Sequence, residues 1–262
     1  MNFKKTNLKK SAPDISSDTP DVSGMRLNKA IAASGFCSRR TADALIFAGR
    51  VSVNHQPETN PARQVLSCDT LAVDGLPLAK PQQFVYILLN KPPQVVCTMC
   101  DPEGRETVLD YLPPSDTRLY PVGRLDYFSE GLLLLTNDGT LAQYLMHPRY
   151  HQTKTYEVAV RETVTEAMIT AMRNGMRLQE GEMLLPVDVT VVKITPYATL
   201  LRMGLRQGIN RQIRRICREL GLTILRLRRT TQGTLALGAL RTGKARPLTA
   251  DEIAALKKDM PR

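Results

Sequence analysis

The sequence predicts an α+β protein with two folded parts. Short β-rich runs alternate with amphipathic helical stretches over most of the chain. A helix–helix–strands pattern over residues 25–78 gives way, after a short linker at 79–83, to a longer series of strands and helices over 84–258. The 262 residues suffice for one mid-sized or two small domains with their own cores.

Residues 1–24 are basic, then rich in Ser, Asp and Pro. They carry too little apolar surface to offset chain entropy, so a disordered tail is expected. Lys4, Lys5, Lys9 and Lys10 either touch a polyanion or are simply solvated. The tail lacks the apolar segment of a secretory signal.

Order begins near Met25. Leu27, Ala30 and Ile31 have helical spacing, and Gly35 can end that helix in a left-handed turn. Ser38 caps a second helix with Ala42, Leu45 and Ile46 inward and Gly49 as its stop. Residues 51–53 alternate as a strand. Residues 71–73 and 76–78 flank Asp74-Gly75, a strong hairpin signal. Arg26, Lys29, Arg39, Arg40 and Arg50 meet few acids here, so one face should be positive.

Residues 84–89 are β-rich and run into Asn90-Lys91-Pro92-Pro93, where proline stops the strand. Residues 107–112 suggest a short helix. Pro121 and Gly123 shape a loop that holds Arg124 beside Asp126, and Gly131 breaks the chain again. Leu132, Leu133, Leu134 and Leu135 form an apolar run too short to span a membrane, hence a buried strand. Asn137-Asp138-Gly139 is the turn after it. Asp126 either caps or pairs within its loop, or is a reactive carboxylate held still by the strand next door; these residues leave both readings open.

Farther on, Leu141, Ala142 and Leu145 fit a short helix ended by Pro148, and residues 156–160 alternate as a strand. Thr163 with Glu166 reads as a capping box for a helix closed by Gly175. Strands are expected over 184–194 and 199–205. Asn210 caps a helix that Gly221 stops, with Ile209, Ile213, Ile216, Cys217 and Leu220 on its core face. Arg211, Arg215 and Arg218 project oppositely, and Arg214 lies between the faces, able to reach a cleft. From 208 to 230 there are seven arginines and one acid, which favours a phosphate surface over a merely wet one. Residues 224–229 alternate as a strand, Arg226 and Arg228 on one side, Leu225 and Leu227 on the other.

The charge balance, 36 Lys+Arg against 25 Asp+Glu for +11, favours a polyanionic partner. Trp is absent and aromatics are 5%, which argues against a large stacking platform. Five scattered cysteines point to reduced thiols in a cytoplasm. Cys97 and Cys100 form a lone C-x-x-C with no histidine at zinc-like spacing, so no metal is expected. No G-x-S-x-G or second well-placed acid supports Ser–His or paired-carboxylate hydrolysis.

The stretch Gly123-Arg124-Leu125-Asp126, Ser129, Gly131, the four leucines and Thr136-Asn137-Asp138-Gly139 resembles the active-site motif of the pseudouridine synthases. The resemblance is to the ribosomal-RNA branch that carries a small extra RNA-binding domain. Leu89-Asn90-Lys91-Pro92, Lys154-Thr155-Tyr156 and the segment Gly208 to Arg214 match further motifs of that family. Arg26 to Asp43, continued by Gly49-Arg50-Val51, resembles the S4 RNA-binding domain. The resemblance implies a mixed, mainly antiparallel sheet with flanking helices, beside a small α/β S4-like domain. It implies Asp126 as catalytic carboxylate, Tyr156 packed on a flipped base and a candidate for the last proton transfer, and Arg214 pairing with the Asp. Arg124 would fill the space the base leaves. Lys91, Lys154, Arg211 and Arg215, with the five cations of the S4-like part, would contact RNA. The implied reaction needs no cofactor. The implied partner is ribosomal RNA or a pre-ribosomal particle, large subunit favoured over small, met by a cytoplasmic monomer. A non-catalytic RNA-binding or ribosome-assembly protein of the same fold is the alternative. Tyr127-Phe128, directly after Asp126, is bulkier than the residues common in relatives.

Overall fold

The computed structural model describes residues 24–79 and 82–261. The expected disordered tail, apart from Gly24, and Lys80-Pro81 of the expected linker lie outside the described residues.

The N-terminal part runs β1 (Met25–Arg26), α1 (Leu27–Ala33), α2 (Arg39–Phe47), β2 (Val51–Val53), β3 (Gln56–Pro57), β4 (Gln64–Val65), β5 (Leu71–Val73) and β6 (Leu76–Pro77). Ser38 caps α2 by accepting from Thr41 N. Asp74 and Gly75 both have positive φ, the backbone that a two-residue hairpin turn demands. Leu27, Ile31, Ile46, Val51 and Val65 close a core of their own between the helix pair and the small sheet β3-β2-β5-β6.

The larger part contains β7 (Tyr86–Lys91), a 3-10 turn (Val108–Tyr111), β8 (Tyr120–Pro121), β9 (Glu130–Thr136), α3 (Gly139–Met146), β10 (Lys154–Val160) and α4 (Glu166–Asn174). It continues with β11 (Asp188–Thr195), β12 (Ala198–Leu205), α5 (Gln212–Glu219), β13 (Ile224–Gln232), β14 (Leu235–Ala236), β15 (Ala245–Pro247) and α6 (Ala250–Lys257). The sheet order is β11-β12-β10-β13-β9-β7-β15, with β14 on β13 and β8 on β9. Every pairing is antiparallel except β13 with β9. The mixed, mainly antiparallel sheet is therefore as expected.

The four leucines of β9 are buried because both sheet faces are covered. Leu132 and Leu134 join the core under α3 and α6, whereas Leu133 and Leu135 join the core under Val95, Val108 and Leu125. A third core packs α4 and α5 against β10, β11 and β12.

The parallel joint is where the fold is tightest. Gly131 faces Arg229 across it, and a Cβ on Gly131 would lie 2.2 Å from the Arg229 carbonyl oxygen and 2.8 Å from its nitrogen. Gly131 also has φ +105°. Only glycine lets β9 and β13 approach this closely. Because Tyr156 of β10 is opposite Arg229 in turn, Gly131, Arg229 and Tyr156 form a row across three strands.

Three local expectations are corrected. The cap of α4 is Thr165, which accepts from Met168 N, and not Thr163. The strand expected from 184 begins at Asp188, after Pro186, whose ring removes a ladder donor. Helix α5 is capped not by Asn210 but by Arg211, whose backbone is left-handed at φ 53°.

Candidate active site

The site lies at one edge of the parallel joint. Asp126 sits in the loop four residues before β9. That loop is braced from beneath: Lys91, the last residue of β7, is 0% exposed. Its Nζ donates to the carbonyls of Pro92 and Ser129, both at 2.8 Å, and faces that of Tyr127 at 3.5 Å. Burial pushes the Lys91 ammonium down to about 8, against a smaller upward pull from Cys97, Asp126 and Glu130. Gln94 N also donates to Tyr127 O at 2.6 Å.

Two arginines reach Asp126 from the start of α5, Arg214 from its first turn and Arg211 from its N-cap position. Arg214 donates from Nε to Asp126 Oδ2 at 3.2 Å and from Nη2 to Ser129 Oγ at 3.0 Å. Its guanidinium thus spans the carboxylate and the hydroxyl that follows it by three residues. Arg211 Nη1 lies 3.7 Å from the same Oδ2. As the left-handed cap, Arg211 leaves the helical phase expected of it and turns toward the carboxylate rather than away.

Asp126, Arg214 and Tyr156 line one cavity of about 240 Å³, together with Arg124, Ser129, Lys154, Arg211, Arg229 and Gln232. Tyr156 is half-buried, packed between two cores. The Lys154 ammonium is lowered by burial and by the nearby Arg229 charge. The cavity is therefore a cationic cleft with one carboxylate, one phenol and an apolar floor that includes Leu205, Ile213 and Leu227.

Other expected contacts resolve differently. Lys91 is corrected: a buried ammonium spent on carbonyls cannot meet RNA, and it acts instead as a brace. Arg215 pairs with Glu180 and Glu182 at 2.5 and 2.6 Å, and Arg218 pairs with Glu180, so acids distant in sequence offset the arginine run. Arg50 is paired with Asp74 at 2.6 Å. Arg26, Arg39 and Arg40 are exposed and Lys29 is half-exposed, with no ion pair among the described residues. Asp138 caps α3 through Thr140 N and Leu141 N and accepts from Tyr86 Oη, so it is no second acid. Asn137 clamps the entry to β7 through Gln83 O and Val85 N.

Sequence reasoning missed Arg229. It is 2% exposed, donates from Nε to Leu132 O at 2.7 Å and lines the cavity. Its signal was its parity: in β13 it shares the inward side with Leu227 rather than the outward side with Arg226 and Arg228. Among the described residues there is no cluster of side chains fit to hold a metal ion, and no helix is long and apolar enough to cross a membrane. All five cysteines are free thiols.

Residues 85–219 match the family described as RNA pseudouridylate synthase, and residues 25–71 match the S4 domain. The chain is 37% identical over 234 residues to ribosomal large subunit pseudouridine synthase B of Bacillus subtilis, covering 88% of this chain and 95% of that protein. It is 37% identical over 239 residues to an uncharacterized RNA pseudouridine synthase of Aquifex aeolicus, covering 89% of this chain and 94% of that one. A crystal structure of a pseudouridylate synthase superposes with a TM-score of 0.64 at 28% identity, over 88% of this chain and 99% of the other. The chain belongs to the RNA pseudouridylate synthase family: it is a pseudouridine synthase, an isomerase, with an S4 domain ahead of its catalytic fold.

Proposed function

We propose that this enzyme converts a uridine of ribosomal RNA, in the large subunit rather than the small, to pseudouridine, with Asp126 as the catalytic carboxylate. The observation that carries the reading is the Asp126–Arg214 pair, which stands in a cationic cleft shared with Tyr156. Likeness to the large-subunit enzyme of Bacillus subtilis supports the choice of subunit.

In this reading the target uridine leaves its stack and enters the cleft, at a cost of a few kcal/mol that phosphate contacts and ring packing offset. The N1–C1′ bond breaks, the uracil turns, and C5 bonds to C1′. The C5 proton is lost and N1 gains one, so substrate and product are isomers and no external reactant or cofactor takes part. Asp126 drives the glycosidic step. Arg214 fixes its carboxylate through the Nε contact while anchored on Ser129. Tyr156 packs on the flipped base and manages the final proton transfer. Arg124 fills the gap left in the RNA. Residues 25–78 dock on folded RNA through Arg26, Lys29, Arg39 and Arg40, and residues 84–258 do the chemistry. Such contacts position the protein without reading bases. In this reading the enzyme acts as a monomer where ribosomes are assembled, in the cytoplasm.

The test is Asp126→Asn, with RNA affinity and the pseudouridine content of ribosomal RNA both measured. Affinity should persist while the pseudouridine disappears. Wild-type protein that forms no pseudouridine on any ribosomal RNA transcript, while still binding it, would sink the reading. Mapping pseudouridines in a deletion strain against its parent identifies the position and the subunit.

A further inference from the structure

Asp126 stands on a wall between two cavities. One is the cleft described above. The other, of about 540 Å³, opens on the far side of the wall and is bounded by Val96, Thr98 and Pro102 from the segment after β7. Arg124, Asp126 and Arg211 line both. Beside the second cavity, Tyr127 stands edge-on to Phe128, with ring centroids 5.0 Å apart and planes at 77°.

These rings are 36% and 63% exposed. Two adjacent aromatics left in water forgo the burial that ordinarily holds such residues in a core. Their backbone is nevertheless fixed. Tyr127 O accepts from Gln94 N at 2.6 Å, and Ser129 N donates back to Asp126 O at 2.9 Å. The rings are thus presented from a pinned turn, directly after the carboxylate.

The cations around the second cavity differ in availability. Arg105 is committed to Asp101 and Glu103. Arg124 is exposed and has no ion pair among the described residues, and Arg211 is held only loosely, 3.7 Å from Asp126. The free positive charge therefore concentrates on the wall that the two cavities share. A ligand that occupies both cavities would carry its negative charge at that wall, with a flat group on either side.

We propose that the second cavity takes the nucleotide next to the target uridine in the RNA chain. Its base stacks on Tyr127, which lines the cavity and is backed edge-on by Phe128, and the phosphate linking it to the uridine lies over Arg124 and Arg211. This rests on the functional reading above and extends it to a second subsite. A uridine leaves its stack more cheaply when its neighbour is given a replacement surface. Stacking on an aromatic side chain tolerates any base. Two rings are no extended platform, but one neighbouring base needs no more.

The test uses the full chain and the ribosomal RNA fragment on which it forms pseudouridine, with 2-aminopurine replacing, in turn, the base on either side of the converted uridine. One of the two probes should be dimmer in the wild-type complex than in the complex of the Tyr127→Ala, Phe128→Ala double variant. The double variant should lose about 5- to 100-fold in kcat/KM, carried by KM. Tyr127→Phe with Phe128→Tyr should restore both readouts. An abasic site at the same flanking position should weaken the wild type comparably and cost the double variant nothing more. If the double variant fails to fold, Tyr127→Ala alone, the ring that lines the cavity, carries the same comparison. Equal fluorescence in the two complexes, or an unchanged KM, overturns the proposal. So does a defect seen only on ribosomal particles and not on naked RNA, which would mark the rings as a protein contact. A wild type that is active while neither probe responds removes this subsite alone; a wild type that forms no pseudouridine removes the functional reading beneath it.

Discussion

Arg214 and Asp126 are 88 residues apart in the chain, and Arg214 Nε lies 3.2 Å from Asp126 Oδ2 in the fold. The same guanidinium reaches Ser129 Oγ at 3.0 Å, so one planar fork registers α5 against the loop before β9. A lysine would bring a point charge without the fork. Arg214→Lys should therefore retain RNA affinity but lose about 10²–10³-fold in the rate of pseudouridine formation under single-turnover conditions, as when one fixed donor is removed. Ser129→Ala should cost less, because it leaves the Asp126 contact in place. Equal losses for the two variants would assign the effect to packing rather than to the fork.

Lys91 gives the enzyme a pH signature. Its folded value, about 8, lies below its ordinary 10.5. Between these values the unfolded chain binds more protons than the folded one, so this residue makes stability rise with pH across that window. Lys91→Met should abolish the rise. It should also strand two carbonyls, lowering stability at neutral pH by about 1–3 kcal/mol. Urea unfolding of both proteins at pH 7, 8, 9 and 10 measures each effect. A parallel pH dependence in wild type and variant would remove Lys91 as its source.

Gly131 is expected to tolerate no side chain. A Cβ there meets backbone at 2.2 Å, and neither strand can swing away without breaking the joint. Gly131→Ala should destabilise by about 3 kcal/mol or more, from positive-φ strain and forced separation of β9 from β13. Gly123 has positive φ but nothing near its Cβ position, so Gly123→Ala should cost only the strain, about 1–2 kcal/mol. Chemical denaturation that ranks the two variants in the opposite order would refute the packing argument.

The dependence of RNA affinity on salt separates free from committed arginines. Each phosphate contact contributes about 0.7–0.9 to the slope of log affinity against log salt. Arg39→Ala with Arg40→Ala should flatten the slope by roughly 1.5, as two such contacts predict. Arg215→Ala should leave it nearly unchanged, since Arg215 is occupied by Glu180 and Glu182. A larger change for Arg215 than for the α2 pair would reverse the assignment of the docking face.

Where the signal was local, the elements could be read directly. Ser38 and the Asp74-Gly75 turn act through bonds within a few residues, and the four leucines announce a strand covered on both sides. Where geometry depended on one backbone angle, the reading slipped. A left-handed Arg211 rotates everything before α5, so a side chain assigned to the outer face turns to Asp126. Charge was misread for a related reason. The acids that occupy Arg215 and Arg218 lie more than thirty residues earlier, beyond any helical pairing rule.

The amino-acid order by itself determined the α+β class, the two folded parts and the basic character, because periodicity and turn chemistry are short-range properties; Asp126, Tyr156 and Arg214 stood out only through the resemblance of their motifs to a known family. Only the tertiary structure decided what those residues touch. The parallel joint at Gly131 and Arg229 brings segments 88 residues apart to one carboxylate, turns Lys91 from a surface cation into a buried brace, and leaves Tyr127 and Phe128 in the open. The physical reason is that burial, charge pairing and close backbone approach are set by which strands become neighbours, and neighbours in a sheet need not be neighbours in the chain.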